Sequence, residues 1–231
     1  MDNLLLEDGA IELVLDAKTD AVEASRTAAT THRSLKGSML ALIAIGVLAL
    51  VSVVATATET TAAGAWAEAG DAGELPGTAQ VPAGSGSLDA ISGAITPAAD
   101  ADMYQVCLTG GGTFSATTGP PGSHTFDTQL FLFDAAGNGV YANDDSLGIG
   151  LGSLLPAGHA LTPATAGTYY LAVSAWDNDP VSAGGLIFPN TFNDVDGPTG
   201  PGGALAISGW TVASGDDPGE YTIALTGAEF C

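Results

Sequence analysis

Asp144 and Asp145 sit side by side after Asn143, and carboxylates so placed repel unless a cation or a proton relieves them. Asp127 and Asp134 bracket the apolar run just upstream, so Asp127, Asp134, Asn143, Asp144 and Asp145 gather around one expected hairpin. A second oxygen-rich group, Asp177, Asn178, Asp179, Asn193, Asp194 and Asp196, falls in a long polar stretch. Calcium takes about six to eight oxygens from carboxylates, amides and backbone carbonyls, which loops supply readily. The expected cofactor is therefore calcium, held by Asp144 and Asp145 together with Asp102 or Asp127, with Asp134 as a further candidate ligand. For Asp127 and Asp134 the competing role is to cap strand-end turns by accepting bonds from nearby backbone amides. Neither group has the spacing of the twelve-residue EF-hand loop.

Catalytic signatures are missing. No G-x-S-x-G elbow, H-E-x-x-H helix or Walker loop occurs, and downstream of the N-terminal apolar run the only histidines are His124 and His159, each in an expected loop. The chain reads as a non-enzyme.

Charge narrows the partners. The formal net charge is −22, and the four basic residues, Lys18, Arg26, Arg33 and Lys36, all precede the apolar run that begins at Met39. Phosphate backbones are neutralised by Lys and Arg, so a segment without either excludes nucleic acid as a partner. Docking on anionic lipid head groups needs the same basic clusters. Divalent cations are the natural complement of such a surface, and solubility is the other use of the acids.

Cys107 and Cys231 are the only cysteines. In an exported chain two cysteines suggest a disulfide, here between the first expected strand and the last residue. The alternative is a terminal thiol that links molecules.

These groups need elements to place them. Residues 1–38 read as a leader, and 39–57 (MLALIAIGVLALVSVVATA) as a signal-peptide core or membrane anchor flanked by His32, Arg33 and Lys36. Two A-x-A cleavage sites follow, Ala55-Thr56-Ala57 and Ala63-Gly64-Ala65. Export places the rest outside the cytoplasm, whether secreted, periplasmic or surface-associated. Residues 58–86 have the composition of a flexible linker, and 87–231 form the expected domain.

That domain reads as all-β, an antiparallel sandwich. Tyr104, Val106 and Leu108 alternate with small or polar residues, as do Tyr169, Leu171 and Val173, and Tyr221, Ile223 and Leu225; each set marks a strand with one buried face. Leu130, Phe131, Leu132 and Phe133 make both faces apolar, so Thr128–Asp134 is an expected central strand. Asn138-Gly139 is suited to positive φ in the following turn. Between Trp176 and Trp210 lies a connection too long to be simple, the expected contact surface for a ligand if Trp176, Trp210, Phe188 or Phe192 is exposed.

Asp100-Ala101-Asp102-Met103-Tyr104, FDTQLFLFDAAGNGVYANDD (126–145), AGTYYLAVS (166–174) and GEYTIALTG (219–227) together resemble the bacterial pre-peptidase C-terminal (PPC) domain family over most of residues 88–231. The resemblance implies a jelly-roll-like β-sandwich on secreted or surface proteins, often beside a protease. Some relatives bind calcium or matrix polymers. No protease domain accompanies this one, so the expected function is a non-catalytic exported module contacting a surface polymer or partner protein, or a structural component of an envelope or extracellular assembly.

Overall fold

A computed structural model describes residues 64–119, 122–189, 191–211 and 218–231. The leader and the apolar run 39–57 lie outside the described residues. Among the described residues there is no helix, and none long and apolar enough to cross a membrane.

Period-two patterning sets the architecture. Strand β13 (Gly219–Thr226) buries Tyr221, Ile223 and Leu225 and exposes Glu220, Thr222, Ala224 and Thr226, so its sheet is dry on one side only. That sheet has the order β1-β2-β13-β4-β7, with β1 Ala65–Ala67, β2 Ala90–Ile95, β4 Ser115–Thr117 and β7 Leu154–Leu155. Its pairings are antiparallel except β1 with β2. The second sheet runs β11-β6-β5-β8-β3-β14, all antiparallel, from β3 (Ala101–Leu108), β5 (Thr128–Asp134), β6 (Gly139–Asn143), β8 (Gly167–Ala175), β11 (Val195–Asp196) and β14 (Ala228–Glu229). Strand β5 is interior to this sheet, as its doubly apolar sequence requires.

The sheets meet across one core. Tyr104, Val106, Leu130, Leu132, Leu171 and Val173 from the six-stranded sheet share a cluster with Ile91, Ile95, Ala116, Tyr221, Ile223 and Leu225 from the five-stranded one. Such a sandwich-like pair leaves the far side of the six-stranded sheet apolar too, because Met103, Phe131, Phe133, Ala142 and Ala172 point there. Ile187, Phe188 and Ile207 cover it, forming a second core. They come from the long connection after Trp176, which folds into a small sheet of β9 (Pro180–Ser182), β10 (Gly185–Leu186) and β12 (Gly209–Trp210) in the order β10-β9-β12.

The aromatic residues of this connection are consequently divided. Phe188 is buried with its ring 5.7 Å from Phe131 and 6.0 Å from Phe133. Trp210 is half-buried, edge-on to Phe131 at 5.5 Å, and its indole N–H donates to the Glu74 carbonyl. Trp176 is half-buried, and Phe192 is exposed.

Two local features differ from expectation. Residues 64–86, read as linker, carry β1 and strap both sheets: Trp66 pairs with Ile91, while Gln80 exchanges backbone bonds with Met103 and Gln105 on β3. The strap covers strand edges, and its low periodicity is that of a segment bonded mainly at single points. In the β5–β6 turn the positive-φ residue is Gly137 (φ 81°), not Asn138 or Gly139, because the Asp134 carboxylate draws in the Ala136 and Asn138 amides and a register shift follows Leu132.

Cys107 and Cys231 are disulfide-bonded, with Cα atoms 5.2 Å apart and a sequence separation of 124. The pairing of β14 with β3, Glu229 opposite Cys107, brings them together. Breaking the bridge with Cys231→Ser is expected to cost about 2–5 kcal/mol, measured by urea unfolding, and thiol titration of the unreduced wild-type protein is expected to find no free thiol. Phe188→Ala is expected to cost about 3–5 kcal/mol in the same assay, against about 0.5 kcal/mol or less for Phe192→Ala. Equal effects of the two would show that the outer face is not a packed core.

Candidate metal centres

Asp127 lies just before β5, and Asp144 and Asp145 just after β6. Because β5 and β6 are antiparallel neighbours, the start of one strand and the end of the other share an end of the sheet. There Asp127, Asp144 and Asp145 each bring one carboxylate oxygen within 4.8 Å of the others. Three of the five expected ligands are thus assembled.

Buried hydrogen bonds hold their loops. Asn143, 3% exposed, donates from Nδ2 to the carbonyls of Asp145 (2.8 Å) and Asp194 (2.9 Å) and accepts the Leu154 amide on Oδ1 (2.7 Å). The Asp127 carbonyl accepts the Trp176 amide at 3.0 Å. Behind it Thr118, Thr128 and Ser153 share hydroxyl bonds of 2.6 and 3.1 Å. Burial pushes the Asp145 carboxyl above its ordinary range, and its Oδ1 is buried without a hydrogen-bond partner. Desolvation disfavours the charged form, and a bound divalent cation reverses that preference.

Asp134 and Asp102 lie elsewhere. Asp134 Oδ1 accepts the Ala136 and Asn138 amides, both at 2.9 Å, which is the turn-capping role weighed against metal ligation. Asp102 shares the core-facing side of β3 with Tyr104 and Val106, because side chains two apart lie on one face. It is fully buried, and the Tyr221 hydroxyl donates to its Oδ2 at 2.6 Å while the Tyr104 and Tyr221 hydroxyls lie 2.6 Å apart. Burial pushes the Asp102 carboxyl up to about 8, opposed by the Tyr221 hydrogen bond and reinforced by the charges of Glu68, Asp100 and Asp71. One oxygen each of Glu68, Asp71 and Asp102 lies within 4.8 Å of the others. Nothing in the residue order marks this grouping, since Glu68 and Asp71 fall in the stretch read as linker.

The acids of the long connection serve mainly as pins. Asn178 donates to the Ala99 and Asp100 carbonyls at 3.2 and 2.9 Å, Asp179 accepts Gln129 Nε2 at 3.2 Å, and Asp196 accepts the Thr191 hydroxyl. Asp177 and Asn193 occupy left-handed turn positions, with φ of 62° and 63°. The histidines brace loops: His124 Nδ1 donates to the Thr118 carbonyl at 2.7 Å, and His159 Nδ1 accepts the Leu161 amide at 3.3 Å. A groove of about 430 Å³ opens beside Glu68, Gly93, His124, Glu220 and Tyr221.

No family model, curated protein or solved structure matches this chain.

The upward shift of Asp102 has a definite sign in stability. Its ordinary value is 3.8 and its folded value about 8, so the folded chain holds a proton that the unfolded chain releases. The stability this contributes is complete below pH 4 and is lost as the pH rises through 8. Asp100, Asp145, Asp179 and Asp196 are shifted in the same direction by burial. In chelator, the melting temperature is expected to fall from pH 4 to pH 8, with a shallower slope in Asp102→Asn. A melting temperature that climbs over that interval would contradict this.

Proposed function

We propose that this chain is a non-catalytic exported accessory module that contacts a surface polymer or partner protein through a rim ordered by calcium. One observation carries the reading. Leu147 (84% exposed), Leu151 (53%) and Phe192 (54%) stand out from the two loops that Asn143 ties together at Asp145 and Asp194, beside the oxygens of Asp127, Asp144 and Asp145. Large apolar side chains held in water mark contact surfaces, and aromatic ones anchor carbohydrate and protein partners. The half-buried Trp176, whose amide binds the Asp127 carbonyl, extends the same rim. Trp210 is engaged with Phe131, so the proposed contact surface draws on Trp176 and Phe192 from the long connection and on Leu147 and Leu151 from the loop after β6.

Calcium suits the donors, which are hard carboxylate oxygens on loops rather than nitrogen or sulfur. Stiffening those loops would present Leu147, Leu151 and Phe192 in one arrangement and lower the ordering cost of binding. Export rests on the charge asymmetry around residues 39–57, and the disulfide fits an oxidising compartment. The all-β architecture with two face-packed sheets is compatible with the jelly-roll-like topology that the PPC resemblance implies.

A structural role in an envelope or extracellular assembly is the second reading. Burial of Phe188 and engagement of Trp210 favour it, since rings spent on packing are not available to a soluble ligand. Concentration-dependent filaments or sheets, followed by light scattering, distinguish it from monovalent binding.

The test uses the full chain with its disulfide intact. Millimolar calcium is expected to release heat in calorimetry and raise the melting temperature, and Asp145→Asn to diminish both. Leu147→Ser combined with Phe192→Ser is expected to keep the calcium response and lose at least tenfold in cosedimentation with insoluble cell-wall polysaccharide or envelope protein. No heat and no thermal shift would sink the metal, and unchanged cosedimentation would sink the rim.

A further inference from the structure

We propose that Gln129, Asp144 and Asp179 hold a second calcium ion on the outer face of the six-stranded sheet, where it fastens the long connection to β5 and β6. The pleat assembles the site. Phe131 and Ala142 lie opposite each other on β5 and β6 and point into the second core, so Gln129, two residues before Phe131, and Asp144, two after Ala142, continue that face toward the strand ends. Asp196 on β11 lies opposite Ala142 and adds a third polar side chain. The long connection contributes Asp179 and Phe188. A cavity of about 10 Å³ lies among them, lined by Gln129, Asp144, Asp179 and Asp196 against Phe131 and Phe188. That is room for one water-sized atom and not for an organic ligand.

Acids around a cavity are common without an ion, and Gln129 supplies the separate observation. It is 3% exposed, its Nε2 donates to Asp179 Oδ1 at 3.2 Å, and its Oε1 is buried without a hydrogen-bond partner. Turning the amide over would set that oxygen against the Asp179 carboxylate, so the orphaned acceptor is held in place by charge. The other side-chain donors lining the cavity are already spent: Asn143 Nδ2 on the Asp145 and Asp194 carbonyls, and the Thr191 hydroxyl on Asp196 Oδ2. Oxygen acceptors remain, and residues 37–231 contain no Lys or Arg to meet them. A buried acceptor left without a donor is costly, and a cation removes that cost.

Charge and size select the ion. Carboxylate and amide oxygens are hard donors, which exclude soft metals. Magnesium keeps several of its waters and finds no room for them here, whereas calcium takes amide and carboxylate oxygens directly. Asp144 also belongs to the Asp127–Asp144–Asp145 trio, so its carboxylate would serve both ions. The consequence for the chain is mechanical. Binding would cross-link β5, the end of β6 and the long connection, adding to the β11–β6 pairing and to the bond from Asn143 to the Asp194 carbonyl.

The experiment is calcium titration of the full-length, oxidised protein by calorimetry, with melting temperatures in calcium and in chelator as a second readout. Wild type is expected to bind two equivalents. Gln129→Leu, which removes the amide oxygen and leaves the carboxylates, is expected to lose one equivalent, or at least about tenfold in its affinity, and to shrink the calcium-dependent rise in melting temperature. Gln129→Glu, which returns an oxygen, restores both. Asp145→Asn loses the other equivalent and keeps the one that depends on Gln129. Asp179→Asn, which keeps an acceptor for the Gln129 amide, is measured if Gln129→Leu does not fold. Unchanged stoichiometry and affinity in Gln129→Leu, or in Asp179→Asn, overturns the second site while leaving the first standing, and so does a melting temperature lowered equally in calcium and in chelator, which would make these residues pins only. A single wild-type equivalent that survives Asp145→Asn and disappears in Gln129→Leu supports this site alone, and no calcium binding by wild type removes both.

Discussion

Burying carboxylates in a segment that has neither Lys nor Arg is the constraint that organises this domain. Ordinary proteins pair buried acids with Arg or Lys, and the solvation cost is partly returned by attraction. Residues 37–231 have no such option. Asp100, Asp102, Asp144 and Asp179 are nevertheless 9% exposed or less. The remaining means are hydrogen bonds from amides and hydroxyls, retention of a proton, or an external cation. Asp100 uses the first, accepting the Thr96 and Ala101 amides. Asp102 accepts Tyr221 and is also pushed towards its protonated form. Proton and cation are alternative ways of neutralising such a site, which ties stability to pH.

A second consequence follows from using the six-stranded sheet on both sides. One face supplies the core shared with the five-stranded sheet, and the other is sealed by Ile187, Phe188 and Ile207. The covering segment is long because it must span that face, and polar because few of its residues are needed as plugs. Its acids and amides then tie it down at Gln129, Ala99 and Asp100. A stretch with the composition of a loop behaves as a third layer.

The strap before Leu88 does comparable work at the sheet edges. Strand β1 extends the five-stranded sheet, Gln80 bonds to β3, and Glu68 receives the Ala94 amide beyond the end of β1. Unpaired edge amides invite pairing with other chains, and a side-chain carboxylate on that edge blocks it. The disulfide at Cys231 secures the opposite terminus of the domain to the same strand, β3. The strap and the C-terminal residue are therefore both tied to β3, the strap through Gln80 and Cys231 through the disulfide.

Residue order alone determined the features governed by local periodicity and composition. Tyr104-Val106-Leu108, Tyr169-Leu171-Val173 and Tyr221-Ile223-Leu225 each face the shared core, and Leu130–Phe133 forms an interior strand, because the pleat forces alternate side chains to opposite faces. The cysteine pair was legible from composition, as Cys107 and Cys231 are the only two thiols and an internal bridge was one of their two expected fates. Tertiary structure decided which acids meet. Asp127 joins Asp144 and Asp145 through the antiparallel register of β5 and β6, whereas Asp102, on the same sheet, faces the core and meets Glu68 and Asp71 from a strap with no readable period. Convergence of loops depends on which strands pair and where, and that long-range register is set by the packing of the whole core rather than by any stretch of neighbouring residues.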